Sequence, residues 1–138
     1  MPKILIVDDE PDILLMLRIN LEAEGYETAL AADGETALRR IDDESPDALL
    51  LDVMMPVMDG WSVLESLSTR ADSPRVIVLS AKTASRDIRR ALDLGAADYL
   101  TKPFEPESLL ATIERVLVAS EDELDVGRAA TIRRLDGS

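Results

Sequence analysis

The sequence contains no cysteine and no histidine. Without cysteine there is no disulfide framework, no thiolate metal centre and no thiol redox chemistry. Without histidine there is no imidazole base, no His–Asp relay and no zinc site of the usual kind. Glycine and proline are sparse, six and seven of 138 residues, which argues against low complexity. No apolar run approaches the ~20 residues of a membrane-spanning helix. The N-terminus lacks the charged stretch and long apolar run of a secretory signal. Basic charge is also in deficit, with 15 Lys and Arg against 28 Asp and Glu, a net of −13. Residues 1–60 alone carry 4 basic and 15 acidic side chains. Such a surface offers no basic footprint to displace counterions from nucleic acid. The expectation is an acidic cytoplasmic protein with no direct nucleic acid binding and no membrane contact, whose chemistry rests on carboxylates, hydroxyls, Lys or Arg.

What is present is apolar residues, 46% of the chain, in short and long runs that alternate. Lys3 to Val7 is a continuous β-rich run, as in a strand covered on both faces. Pro11 to Glu24 follows with Ile13, Leu14, Leu17 and Leu21 at helical spacing, Pro11 suiting the first turn and Gly25 the stop. Tyr26 to Ala31 is a weaker strand, and Asp33-Gly34 opens a helix bearing Ala37, Leu38 and Ile41. The pattern repeats as strand Ala48–Asp52 with helix Gly60–Ser68, then strand Arg75–Ser80 with helix Thr83–Leu94. Strand Ala97–Thr101 and helix Pro106–Ala119 complete it. Strict β–α alternation implies an α/β fold with a parallel sheet, right-handed crossovers and helices on both faces. Ligands of such sheets sit beyond the carboxyl ends of the strands.

Those ends are chemically loaded. The first strand runs into Asp8-Asp9-Glu10, the third ends on Asp52, the fourth on Ser80, and the fifth runs into Lys102-Pro103. Singly, each has an ordinary explanation: acids before a helix cap it and complement its dipole, a strand-end Asp or Ser makes a turn, and a Lys is a solvated charge. Together they place carboxylates, a hydroxyl and an amine at one sheet edge. Crowded acids raise one another's pKa unless a cation compensates. An all-oxygen set with no His or Cys suits a hard cation such as Mg²⁺. A divalent ion plus an ammonium is what a phosphoryl group needs around its oxygens, and a carboxylate beside them can act as nucleophile to give an acyl phosphate.

In these residues the sequence resembles the receiver domain of bacterial two-component response regulators over about residues 2–119. The resemblance is carried by Ile-Val-Asp-Asp-Glu (6–10), Leu-Leu-Leu-Asp-Val-Met-Met-Pro-Val-Met-Asp-Gly (49–60), Val-Leu-Ser-Ala-Lys (78–82) and Gly-Ala-Ala-Asp-Tyr-Leu-Thr-Lys-Pro-Phe (95–104). It implies a doubly wound (βα)5 flavodoxin-like sandwich with strand order 2-1-3-4-5. Asp52 then corresponds to the phosphoacceptor. Asp9, Asp52 and the backbone carbonyl of Met54 correspond to Mg²⁺ ligands, with Asp8 acting through coordinated water. Lys102 corresponds to the lysine that pairs with phosphate oxygens, Ser80 to the switch hydroxyl and Tyr99 to the switch aromatic. The Lys102–Pro103 peptide is expected to be cis. The resemblance implies a signalling switch rather than an enzyme. It takes a phosphoryl group from a sensor histidine kinase or phosphotransfer protein and reshapes the face formed by its fourth helix, fifth strand and fifth helix for a downstream protein partner or homodimer. Met54 and Lys82 match positions that flank the phosphate.

Three features stand apart. The fourth helix carries Arg86, Arg89 and Arg90 among Asp87 and Asp93, a solvated face or a docking face. Asp98 fits the symmetric dimers of the DNA-binding subfamily, whereas Thr112 and Glu114 stand where that subfamily is basic. Residues 120–138 lie beyond the resemblance. With Glu121-Asp122-Glu123 as a solvated break and Gly127 interrupting a weak apolar stripe, they are expected to form a flexible or partly helical tail with no output domain. Met55 and Met58 are expected to pack, and Trp61 to be half-buried. Two other classes use related parts: an aspartyl-nucleophile phosphatase, although its Asp-x-Asp pattern after the first strand is missing, and a flavodoxin-like binding module, although Asp8-Asp9-Glu10 would repel a flavin phosphate.

Overall fold

The computed structural model describes residues 1–55 and 59–137. The packing expected of Met58, and Pro56 to Met58 of the 49–60 motif, lie outside the described residues. The elements are β1 (Lys3–Val7), α1 (Pro11–Ala23), β2 (Glu27–Ala31), α2 (Gly34–Glu44), β3 (Ala48–Asp52), α3 (Gly60–Ser68), β4 (Arg75–Ser80), α4 (Ser85–Asp93), β5 (Asp98–Thr101), α5 (Pro106–Val118) and α6 (Glu121–Asp136). All five strands run parallel in the order β2-β1-β3-β4-β5. This is the expected doubly wound sheet. No helix among the described residues is long and apolar enough to cross a membrane.

Alternation along the strands divides the interior into two layers. Leu5, Val7, Leu49, Leu51, Val76 and Val78 face the side packed by α2, α3 and α4. Ile4, Ile6, Leu50, Ile77 and Leu79 face the side packed by α1 and α5, through Leu17, Leu21, Leu109, Ile113 and Val116. Both faces are therefore dry, which is why β1, β3 and β4 read as unbroken apolar runs. Trp61 is buried rather than half-buried, at 7% exposure. Its indole lies under the Arg90 guanidinium, 4.3 Å from the ring centroid, and Arg90 also pairs with Glu65.

The helix ends are fixed by local chemistry. Asp33 accepts a hydrogen bond from the Thr36 amide at 2.8 Å and starts α2. Asp33→Ala leaves that amide without its cap, and we expect a lower melting temperature in a thermal scan with the fold retained. Gly25, at φ +93°, ends α1 in the left-handed region that favours glycine. Arg75 donates to the carbonyls of Val116 and Ala119, satisfying the end of α5, and reaches Glu121 at 3.5 Å.

Residues 121–136 form one continuous helix where the sequence pattern gives a flexible or partly helical tail. The reason is a capping box. Ser120 Oγ accepts from the Glu123 amide, and Glu123 accepts from the Ser120 amide at 2.9 Å. The acids Glu121, Asp122 and Glu123 fall in the first turn and Arg133 and Arg134 in the last, the arrangement the helix dipole favours. This offsets the ~1 kcal/mol that a mid-helix glycine such as Gly127 costs.

Candidate functional site

β1 runs into Asp8, and β3 and β4 end on Asp52 and Ser80, three polar residues that turn the chain in the same way. Asp8 Oδ1 accepts from the Glu10 amide at 2.9 Å, Asp52 Oδ1 from the Met54 amide at 2.9 Å, and Ser80 Oγ from the Lys82 amide at 3.1 Å. Each is a side-chain bond to an amide two residues on, the Asx and Ser/Thr turn geometry. Because the strands are parallel and in register, Asp52 opposite Leu79 and Ser80 opposite Thr101, these turns gather at one sheet edge. Asp8, Asp52 and Ser80 are also the buried polar residues of the described chain, at 1%, 4% and 0% exposure.

Lys102 joins two of them. Its Nζ lies 2.7 Å from Asp8 Oδ2 and 3.3 Å from Asp52 Oδ2. Burial pushes the Asp52 carboxyl above its ordinary pKa, a shift that the Met54 amide and the Lys102 charge only partly offset. Burial pulls the Lys102 ammonium down, but the Asp8 hydrogen bond and the charges of Asp52 and Asp8 together outweigh it, leaving its pKa raised. The lysine is thus held as a cation by the acids that would otherwise repel each other. The peptide that follows it, Lys102–Pro103, is cis as expected.

The predicted site residues fall into two connected groups. Asp8, Asp52 and Lys102 form the first, with Met54 at its rim through its amide. Asp9 stands at the exposed side of the same edge, and the carboxylates of Asp8, Asp9 and Glu10 lie within 4.8 Å of one another. Ser80 and Tyr99 form the second group around the Lys82 backbone. The Tyr99 hydroxyl donates to the Lys82 carbonyl at 2.8 Å, while Ser80 accepts from its amide. Burial raises the Tyr99 pKa, so the phenol stays a donor. Among the described residues, no buried side-chain nitrogen or oxygen lacks a partner. The donor set at the exposed edge is all oxygen and anionic, with carboxylates converging from one loop and Asp52 next to them, and it fits a hard divalent cation.

Two contributors were not recognised from sequence. In the sequence Glu10 is only part of an acidic stretch, yet its carboxylate belongs to the converging group. Gly60 was read as a helix start. A Cβ there would stand 2.3 Å from the Asp52 carbonyl oxygen and 2.4 Å from Val53 Cα, so only glycine lets α3 begin against the end of β3.

Comparison with known proteins identifies the family. The family model described as "Response regulator receiver domain" matches residues 4–114. The alkaline phosphatase synthesis transcriptional regulatory protein PhoP of Bacillus subtilis is 43% identical over 119 residues, covering 86% of this chain and 50% of its own length. Transcriptional regulatory protein KdpE of Mycobacterium tuberculosis is 47% identical over 113 residues, covering 82% of this chain and 50% of its own length. The chain thus spans about half the length of these curated relatives. Among solved structures, a CheY-like response regulator receiver domain protein of Methanospirillum hungatei superposes with a TM-score of 0.81 at 31% identity, over 92% of this chain and 98% of that one. With the fold, the sheet edge and these matches in agreement, the chain belongs to the response regulator receiver domain family.

Proposed function

We propose that Asp52 is the phosphoacceptor of this receiver domain and that the protein is a phosphorylation-dependent switch rather than an enzyme with its own substrate. The observation that carries the reading is the state of the Asp52 carboxylate. It is buried at the sheet edge, one oxygen held by the Met54 amide and the other facing the Lys102 ammonium. The first bond fixes the carboxylate plane. The second leaves an oxygen aimed at an ammonium that can offset the charge of an incoming phosphoryl group. The donor phosphohistidine, of a kinase or phosphotransfer protein, lies outside these 138 residues, which contain no histidine.

In the transfer the N–P bond of the donor breaks as the Asp52 Oδ–P bond forms, and the departing imidazole takes its proton from solvent. Lys102 moves from spanning two carboxylates to holding a phosphoryl oxygen. Asp9, Asp52 and the Met54 carbonyl would hold Mg²⁺, with Asp8 acting through a water. Bound there, the ion supplies further positive charge for the phosphoryl oxygens. Ser80, drawn toward the phosphoryl group, gives up the Lys82 amide, and Tyr99 turns into the space behind it. The β4–α4 loop then shifts and alters the surface of α4, β5 and α5. This is a two-state element biased by local charge. The output is contact with a protein, either a downstream partner or a second copy, in the cytoplasm. On that surface Arg115 is already paired with Asp98 within the chain.

The test uses phosphoramidate, a small donor with the same N–P bond. With Mg²⁺, intact mass should rise by one phosphoryl group, and hydroxylamine should remove it as it does other acyl phosphates. Asp52→Asn should not be labelled, and it should melt at a higher temperature because a buried charge is gone. The sign follows from linkage: an acid with a raised folded pKa binds its proton more tightly when folded, so its ionisation destabilises the fold as pH rises through that pKa. Labelling of Asp52→Asn to the wild-type level would overturn the assignment.

A further inference from the structure

α6 does not project from the domain; it lies along α4. Leu124 is its fully buried residue, at 4% exposure. Arg128, Thr131, Ile132 and Leu135, at four, seven, eight and eleven positions further on, are half-buried on the same side, with Ala130 half-buried off it, whereas Glu121, Asp122, Asp125 and Val126 are exposed. That spacing is one helical face turned inward. The helix is fastened at both ends. Glu121 reaches Arg75 at the start of β4, and Asp136 accepts a hydrogen bond from Arg89 in the middle of α4.

The fastening is light. One buried leucine, a half-buried stripe and ion pairs with exposed partners hold sixteen residues in place, and exposed pairs contribute little. The helix that α6 lies on is also tied to the site through the loop that precedes it. α4 follows the loop in which the Lys82 amide is held by Ser80 and the Lys82 carbonyl by Tyr99. A change at either side chain moves the root of α4, and with it the surface on which α6 rests.

We propose that α6 is a releasable strap on α4. It is docked while Ser80 and Tyr99 hold Lys82, and it is freed when that loop shifts, uncovering the outer surface of α4 for protein contact. The proposal rests on the reading of Asp52 as phosphoacceptor and adds to it an internal competitor for the output surface. By linkage, freeing α6 favours occupation of the site by the factor with which occupation favours freeing it, and partial loosening favours it by less.

Amide hydrogen exchange on the full chain tests this, with Mg²⁺ alone and with Mg²⁺ plus beryllofluoride, a mimic of the aspartyl phosphate. Trp61 fluorescence reports whether the mimic has bound. Exchange in α6 should speed up about tenfold or more when beryllofluoride binds, and should stay unchanged in Asp52→Asn. Leu124→Ala, and independently Asp136→Lys, should raise α6 exchange without the mimic and bind beryllofluoride about fivefold more tightly. Adding Arg89→Glu to Asp136→Lys should restore both values toward wild type. If beryllofluoride binds wild type but α6 keeps its protection and the variants keep wild-type affinity, α6 is a fixed part of the domain and the strap is wrong. If beryllofluoride fails to bind wild type at all, the Asp52 reading falls, and the strap with it.

Discussion

Gly60→Ala should lower stability by about 3 kcal/mol, near the upper end for overpacking substitutions, which corresponds to a loss of roughly 10 °C in melting temperature for a chain of this size. The added methyl would meet the Asp52 carbonyl and Val53 Cα, both backbone atoms that cannot rotate away. Either α3 must retreat from the sheet or the end of β3 must tilt. Retreat loosens Trp61, Val63 and Leu64, which α3 contributes to the interior. Tilting stretches the Met54 amide bond that orients Asp52. Both routes should also weaken beryllofluoride binding, so the substitution should fail in calorimetry and in the Trp61 titration together. A melting temperature within 2–3 °C of wild type, about the shift of a mild surface substitution, would mean that the close approach relaxes easily.

Lys102→Ala should be the second largest effect, and its size should depend on solution conditions. Removing one partner of a fully buried ion pair costs ~3–5 kcal/mol, because the other charge is left uncompensated. Lys102 keeps 16% side-chain exposure, so water reaches the cluster and we expect about 2 kcal/mol in chelator at neutral pH. Without the ammonium, Asp8 and Asp52 confront each other as buried anions. Acidification, by protonating Asp52, whose carboxyl burial already pushes up, should recover part of the loss. The sign is that of any carboxylate whose folded pKa is raised: stability is greater below that pKa and declines as pH rises through it. Mg²⁺ should recover part of the loss too, since a ligand that binds only the folded state stabilises it. Urea melts with and without Mg²⁺ at two pH values check all three statements. An equal loss under every condition would mean that Lys102 acts through packing of its stem rather than through charge.

Much of this fold is legible in the sequence, for specific reasons. β1, β3 and β4 fall at the expected residues because strands buried on both faces must be unbroken apolar runs, and each run here stops at a charge or a turn residue. β2 and β5 were less sharply bounded. Each begins one residue later than the pattern suggests, at Glu27 and Asp98, and each is an edge strand with weaker patterning. α4 is shorter than its periodicity implies, Ser85–Asp93 rather than Thr83–Leu94, because Lys82 is bound to Ser80 and Tyr99 and the chain turns before it coils. α6 carried its signal in plain view: Ser120 and Glu123 have the capping-box spacing, although the acidic run between them reads more readily as a break.

The site was legible as a set of residue types at strand ends, and less so as a set of contacts. That Lys102 sits closer to Asp8 than to Asp52 depends on the stagger of β5 and its loop, which no local pattern encodes. The requirement for glycine at position 60 exists only because residue 60 returns to the backbone of residues 52 and 53. Trp61 is shielded by an arginine two elements away. In each case the missing information is a long-range approach, and residue spacing along the chain says little about such approaches.

The three strand-end turns have a mechanical consequence. Asp8, Asp52 and Ser80 each brace the amide two residues ahead, so each is at once a chemical group and the pin of a hinge. Rotating such a side chain cannot remain a local event, since the loop it braces must find a new support. In the proposed switch the sheet edge would act as a gear, converting the turn of a single oxygen into travel of a backbone segment. The gear runs in reverse as well: a protein that grips one of these loops would change how readily the oxygen beneath it reacts.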